Sequence, residues 1–135
     1  MSKKRMEADS IGTMEVPEGV YYGVQTLRAR ENFEITGRRM QKAFIRSIAI
    51  IKKAAAMTNR VAGTLDEKRS DAIIHACNDV LGGAFQDDFI VDPIQGGAGT
   101  SANMNMNEVV ANRANELLGG GLGEYQFVHP NDHVN

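Results

Sequence analysis

The stretch Gln95-Gly96-Gly97-Ala98-Gly99-Thr100-Ser101-Ala102-Asn103-Met104-Asn105-Met106-Asn107 constrains this chain more than any other. Glycine adopts positive φ and lets a backbone approach a ligand closely, so the run reads as a tight turn with accessible main chain. The alternation of Met104 and Met106 with Asn103, Asn105 and Asn107 also fits a half-buried strand. The continuation decides for a helix. Met106, Val110, Arg113 or Ala114, and Leu117 recur at helical spacing, and Gly119-Gly120-Gly121 supplies a stop.

On that reading Thr100 or Ser101 is the N-cap, and the next amides point free at the positive pole of a helix. Such an end suits an anion. No lysine or arginine stands in the motif, so neutral donors would do the binding, which fits a carboxylate better than a polyphosphate. Asn103 and Asn107 would share one face of the first turn.

Helices dominate the rest. Over Gln41 to Ala62, Phe44, Ile48, Ile51, Ala55 and Thr58 form one stripe, widened by Ile45, Ala49 and Ile50. Lys42, Arg46, Lys52 and Lys53 read as a partly wet side, and Gly63 as the end. Thr64 or Asp66 caps a following helix whose apolar face is Ile73, Ile74, Cys77, Val80, Leu81 and Ala84. His75 stands one turn before Asp79 and reads as a surface pair. A short helix begins near Thr26, and Arg28 on it reads as a surface arginine or a carboxylate fork. The segment from Met1 to about Gly19 shows no sustained period, and Asp9 to Pro17 reads as a short extended arm or hairpin. The fold class expected is mainly α: a small helical domain with that arm or hairpin at its N-terminus.

A chain of 135 residues makes one domain. A net charge of −2 gives no electrostatic footprint for nucleic acid or an anionic membrane, and no run is long enough to span a bilayer. Cys77 is the only cysteine, which excludes an internal disulfide and points to a cytoplasmic, reducing setting with Cys77 as a buried filler. Lys3-Lys4-Arg5 is followed by Glu7 and Asp9 in place of the apolar run of a signal peptide. Asp87-Asp88 lacks further ligands at metal spacing and reads as a solvated loop, so no metal site is expected. His129-Pro130-Asn131-Asp132-His133-Val134-Asn135 concentrates polar groups: a metal loop, a ligand-binding turn, or a decorated Pro-Asn turn.

Several motifs occur together and in order: Asp9 with Gly12 and Pro17, Tyr21 to Ala29 with Asn32-Phe33, Lys52 to Ala56, Gln95 to Ser101 with Asn103-Met104-Asn105, and Pro130 to Asn135. This set resembles the N-terminal domain of the aspartase and fumarase superfamily over nearly the whole chain. The resemblance implies that residues 1–135 are that domain, without the central helical bundle and C-terminal domain of the family. It implies elimination from a small dicarboxylate to give fumarate through an aci-carboxylate intermediate, with no organic cofactor, in a homotetrameric parent. Gly97 to Ser101, with Ala98, and His133 resemble the ammonia-removing branch acting on L-aspartate. His129 resembles the second dicarboxylate site of the water-removing hydratases. By match to the family motif, Thr100 donates to the β-carboxylate and is the catalytic residue in this chain. Ser101, Asn103 and Arg28 join it in binding substrate, and His129, Asn131 and Asp132 are candidates for the second site. The base-bearing loop lies outside this chain, so the fragment alone is expected to be inactive. The alternatives are the N-terminal domain of a hydratase and a non-catalytic helical carboxylate-binding module.

Overall fold

The computed structural model describes residues 2–135; Met1, the first residue of the stretch without a sustained period, lies outside them. The chain is mainly helical, with one antiparallel hairpin at its N-terminal end. Strand β1 (Lys4–Asp9) pairs with β2 (Gly12–Pro17) in a register that sets Lys4 against Pro17 and Asp9 against Gly12. The Asp9 carboxylate closes the turn by accepting from Ile11 N at 3.0 Å and Gly12 N at 3.1 Å. The extended arm is therefore a hairpin, and its first strand begins well before Asp9. Arg5 ties the chain leaving the hairpin to β1: its guanidinium donates to the carbonyls of Pro17, Glu18, Val20 and Tyr22. Helix α1 (Val24–Asn32) follows.

Helices α2 (Lys42–Val61) and α3 (Glu67–Leu81) form a helical hairpin. Its short connection turns at Gly63 (φ 77°), and Asp66 caps α3 by accepting from Arg69 N at 3.0 Å. The buried face of α2 is centred on one edge of the expected stripe, the edge that carries Ile45 and Ala49. Ile45, Ala49, Lys52 and Ala56 face inward, whereas Phe44 and Ile51 are exposed, along with Ile50, Met57 and Val61. The two stripes have the same spacing and differ by one residue, a rotation of about 100°. Periodicity cannot choose between them. Small Ala49 and Ala56 lie on the buried side, where α3 presents Ala72, Ile73, Ala76 and Cys77, so tight helix contact favours that face. Lys52, expected on the wet side, is consequently buried, and burial pushes its pKa down. Cys77 is fully buried, and burial pushes its thiol up to about 12, which makes it an inert filler at neutral pH.

Helix α4 (Thr100–Leu117) runs through the middle, packed by α1, α2, α3 and a single π-helical turn (Pro130–Val134). Met106, Val109, Val110, Ala111 and Ala114 on it are fully buried. So are five polar side chains, Asn105, Asn107, Glu108, Asn112 and Asn115, none more than 1% exposed. Of these, Asn105, Glu108, Asn112 and Asn115 each tie a different segment of the chain to the helix. Asn105 donates to Asp88 O and accepts from Ile90 N. Glu108 accepts from Thr26 N at 3.1 Å. Asn112 donates to Tyr21 O at 2.7 Å and accepts from Gly123 N at 2.7 Å. Asn115 donates to Val128 O and accepts from Phe127 N and Val128 N. Burying a polar side chain is costly unless its hydrogen bonds are made; here, Glu108 Oε2 and Asn107 Oδ1 excepted, they are made and hold the neighbouring segments in place. Gly119 (φ 87°) ends the helix, and Gly120 N returns to Asn115 O.

Candidate active site

Gly97, Ala98 and Gly99 are all left-handed, with φ of 75°, 54° and 90°. Ala98 has no glycine freedom and is held there against its preference, a strain of the kind that collects at functional turns. The consequence is that Gly99, not Thr100 or Ser101, is the N-cap, and Thr100 is the first helical residue. The Thr100 hydroxyl donates back to Gly97 O at 2.5 Å. Nor do the first amides all point free. Thr100 N donates to Gly97 O, and Ala102 N donates to the Gln95 side chain at 2.7 Å. Among the described residues, Ser101 N–H is the one of these left without an acceptor.

This end of α4 opens into a cleft of about 390 Å³ lined by Thr100, Ser101, Met104, Arg28, Gln25 and Asn131, among others. Three of the expected substrate-binding residues thus share one cavity. Arg28 makes the fork read from its sequence, but to a carboxylate of this chain: Nε and Nη2 donate to Asp9 at 2.9 and 3.1 Å. That bond, with the turn amides, holds the Asp9 carboxyl below its usual range and pins the hairpin tip to the cleft wall. Asn103 does not line the cleft. Its amide and that of Asn107 both donate to Asn135 Oδ1, at 3.0 and 3.2 Å, so the shared face serves to brace the last turn.

A smaller cleft of about 220 Å³ adjoins the first, sharing Asp9, Gln25 and Asn131 with it and lined further by His129, Tyr125 and Glu108. His129 caps the π-helical turn, its Nδ1 accepting from Asn131 N and Asp132 N at 3.2 and 3.4 Å. His129 N donates in turn to His133 Nδ1 at 2.8 Å. Burial, then the nearby Arg69 guanidinium, push the His133 imidazole below its usual pKa. Asp132 is exposed, 3.6 Å from His129, and lines neither cleft.

Glu108 and Tyr125 escape a reading of the sequence. Glu108 is buried, and that burial, with the Glu7 charge beside it, pushes its pKa up to about 8 against the pull of the Thr26, Gln25 and Gly23 amides. Its second oxygen has no hydrogen-bond partner. The Tyr125 hydroxyl donates to Glu7 Oε1 at 3.1 Å, and burial raises its pKa far beyond the physiological range. A carboxylate amid Asn107, Val109 and Val110 on a buried helix is the only clue in the sequence. Among the described residues, no group of three or more His, Cys, Asp or Glu side chains stands close enough to hold a metal ion. No described helix is long and apolar enough to cross a membrane.

This fold belongs to a known class. The pattern of a lyase family matches residues 12–135, and the chain belongs to that family, the aspartase and fumarase superfamily, as part of its N-terminal region. It is 59% identical over 133 residues to the aspartate ammonia-lyase of Helicobacter pylori, covering 97% of this chain and 28% of that protein. The class II fumarate hydratase of Halobacterium salinarum is 53% identical over 131 residues, with the same coverage. A fumarate lyase:delta crystallin structure from Brucella melitensis, bound to cobalt, superposes with a TM-score of 0.96 at 48% identity, covering 98% of this chain and 29% of that one. The chain thus spans little more than a quarter of the length of these relatives.

Proposed function

We propose that this chain is the N-terminal domain of an aspartate ammonia-lyase, which eliminates ammonia from L-aspartate to give fumarate. The observation that carries the reading is the convergence of Thr100, the Ser101 amide and Arg28 on one cleft at the head of α4. Removing a proton next to a carboxylate places a second negative charge on that group. Neutral donors preorganised at a helix N-terminus stabilise such charge as it develops, each contributing roughly 3 kcal/mol. Thr100 donates to the aci-carboxylate after its hydroxyl turns from Gly97 O, and Ser101 N–H supplies a second donor. Arg28 acts by positioning: through Asp9 it fixes the hairpin tip that walls the cleft. Asn103 braces the end of the chain, and Asn131 with His129 forms the adjoining second site, with Asp132 outside it. The base and the remaining substrate contacts come from the rest of a homotetrameric, cytoplasmic parent, so the 135 residues alone are catalytically silent.

Ala98 and His133 favour ammonia over water as the leaving group; His129 and the 53% identity to a fumarate hydratase favour the reverse. The test is the full-length protein supplied with L-aspartate and, separately, L-malate, with fumarate followed by its ultraviolet absorbance. Faster turnover of aspartate is expected. Equal or faster turnover of malate would move the assignment to the hydratases, and sustained turnover by the isolated 135 residues would overturn the division of labour.

A further inference from the structure

A separate cleft of about 260 Å³ lies between the end of α1 and the loop leading to α2, lined by Arg30, Arg38, Arg39, Glu34 and Asp92, with Phe33 and Ile90 as apolar wall. The loop that presents two of these arginines is rigidly held. Asp92 accepts from Thr36 N at 2.7 Å, the Thr36 hydroxyl, Gly37 N at 3.0 Å and Ile94 N at 2.8 Å. Burial opposes the Asp92 charge, but the Ile94 and Thr36 amides, the Thr36 hydroxyl and the Gly37 amide outweigh it and bring its pKa down to about 2. Arg38 N donates to the Thr36 hydroxyl at 3.1 Å, which extends the order to the arginines.

The negative charge of Asp92 is thus committed to Thr36 and Gly37 of the loop leading to α2 and to Ile94 N of its own. Arg39 is half-neutralised, its Nη1 donating to Asp87 O at 3.0 Å and lying 3.6 Å from the exposed Asp87 carboxylate. Among the described residues, the guanidiniums of Arg30 and Arg38 have neither a hydrogen-bond nor an ion-pair partner. Three like charges gathered on one concavity repel each other, and a fork-shaped guanidinium is matched by an oxyanion. Glu34 is the one opposing charge at the rim without a partner.

We propose that this cleft binds a small multivalent oxyanion, a phosphate ester or a polycarboxylate, through Arg30, Arg38 and Arg39. It is a separate cavity from the cleft at the head of α4; Phe33 lines both.

The test is calorimetric titration of the full-length protein with pyrophosphate and with citrate at low ionic strength. Saturable binding of at least one is expected, and the tighter of the two identifies the ligand as phosphate or carboxylate. Arg30→Gln and Arg38→Gln should each weaken it about tenfold, Glu34→Gln should tighten it, and added salt should weaken it. All three side chains are exposed, so the variants should fold as the parent does. Thr100→Ala should leave this binding unchanged. Absence of saturable binding by both anions, or binding indifferent to Arg30→Gln and Arg38→Gln, would overturn the proposal.

Discussion

Gly23 and Glu108 interlock: a β-carbon placed on Gly23 would fall 2.1 Å from Glu108 Oε2 and 2.4 Å from the Tyr125 hydroxyl. Neither neighbour is free to retreat. Glu108 is buried mid-helix with Oε1 bonded to Thr26 N, and Tyr125 is bonded to Glu7. Gly23→Ala is therefore expected to destabilise the fold by about 3 kcal/mol through overpacking. Denaturant unfolding measures this, and Tyr125→Phe in the same background should restore part of the loss by removing one clash. A loss under about 0.5 kcal/mol would mean that the contact yields easily.

Glu108 also makes stability depend on pH. Its folded pKa of about 8 lies above the 4.5 of the free side chain, so the folded state holds a proton that the unfolded state has released. The associated stability is complete below about pH 4.5 and is lost as pH rises through about 8. His133, depressed in the fold, works the other way near its unfolded pKa of 6.5, so the clean window is above about pH 7. Unfolding free energy should fall between about pH 7 and 9. Glu108→Gln, which mimics the protonated acid, should flatten that fall. Parallel curves for the two proteins would place the charge elsewhere.

Asn115 tests the stitching role of the α4 carboxamides. Its side chain serves Ala111 O and Val128 O at 2.7 Å each, and Phe127 N and Val128 N at 2.8 and 3.1 Å. Asn115→Ala leaves buried backbone groups unpaired and should destabilise by about 2–4 kcal/mol. Amide hydrogen exchange should quicken first at Phe127 and Val128. Uniformly faster exchange across all helices would indicate global weakening instead.

These polar stitches also mark how far the sequence can be read. Local signals were legible because their physics is local: Gly63 and Gly119 as helix stops, Asp66 as a cap, and the shared face of Asn103 and Asn107. What depends on distant partners was not. The inward face of α2 is decided by the small residues that α3 brings against it, and the fate of Lys52 follows from that choice. The expected N-cap at Thr100 moved to Gly99 because Ala98 and its glycine neighbours all turn left-handed, a conformation that an alanine does not advertise. Arg28 was readable as a carboxylate fork, but its carboxylate is Asp9. Glu108, Tyr125 and the four carbonyls held by Arg5 are joined only by the tertiary fold.

Thr100 separates the catalytic reading from the structural one. Its hydroxyl makes one hydrogen bond, to Gly97 O, at an exposed position, so a purely structural role is worth about 1 kcal/mol at most. As a donor to the aci-carboxylate, the same hydroxyl strengthens its bond while charge develops, and its loss appears in kcat more than in KM. In the full-length protein, Thr100→Ala should lower kcat about a hundredfold or more while thermal stability stays within a few degrees of the parent. Thr100→Ser keeps a donor and should recover much of the rate. Because Gly99 is the cap, helix formation gives no reason for a large effect of either change. A Thr100→Ala protein with near-normal kcat and a lowered melting temperature would reduce Thr100 to a tether for Gly97; a folded, stable and catalytically crippled one places its hydroxyl on the substrate.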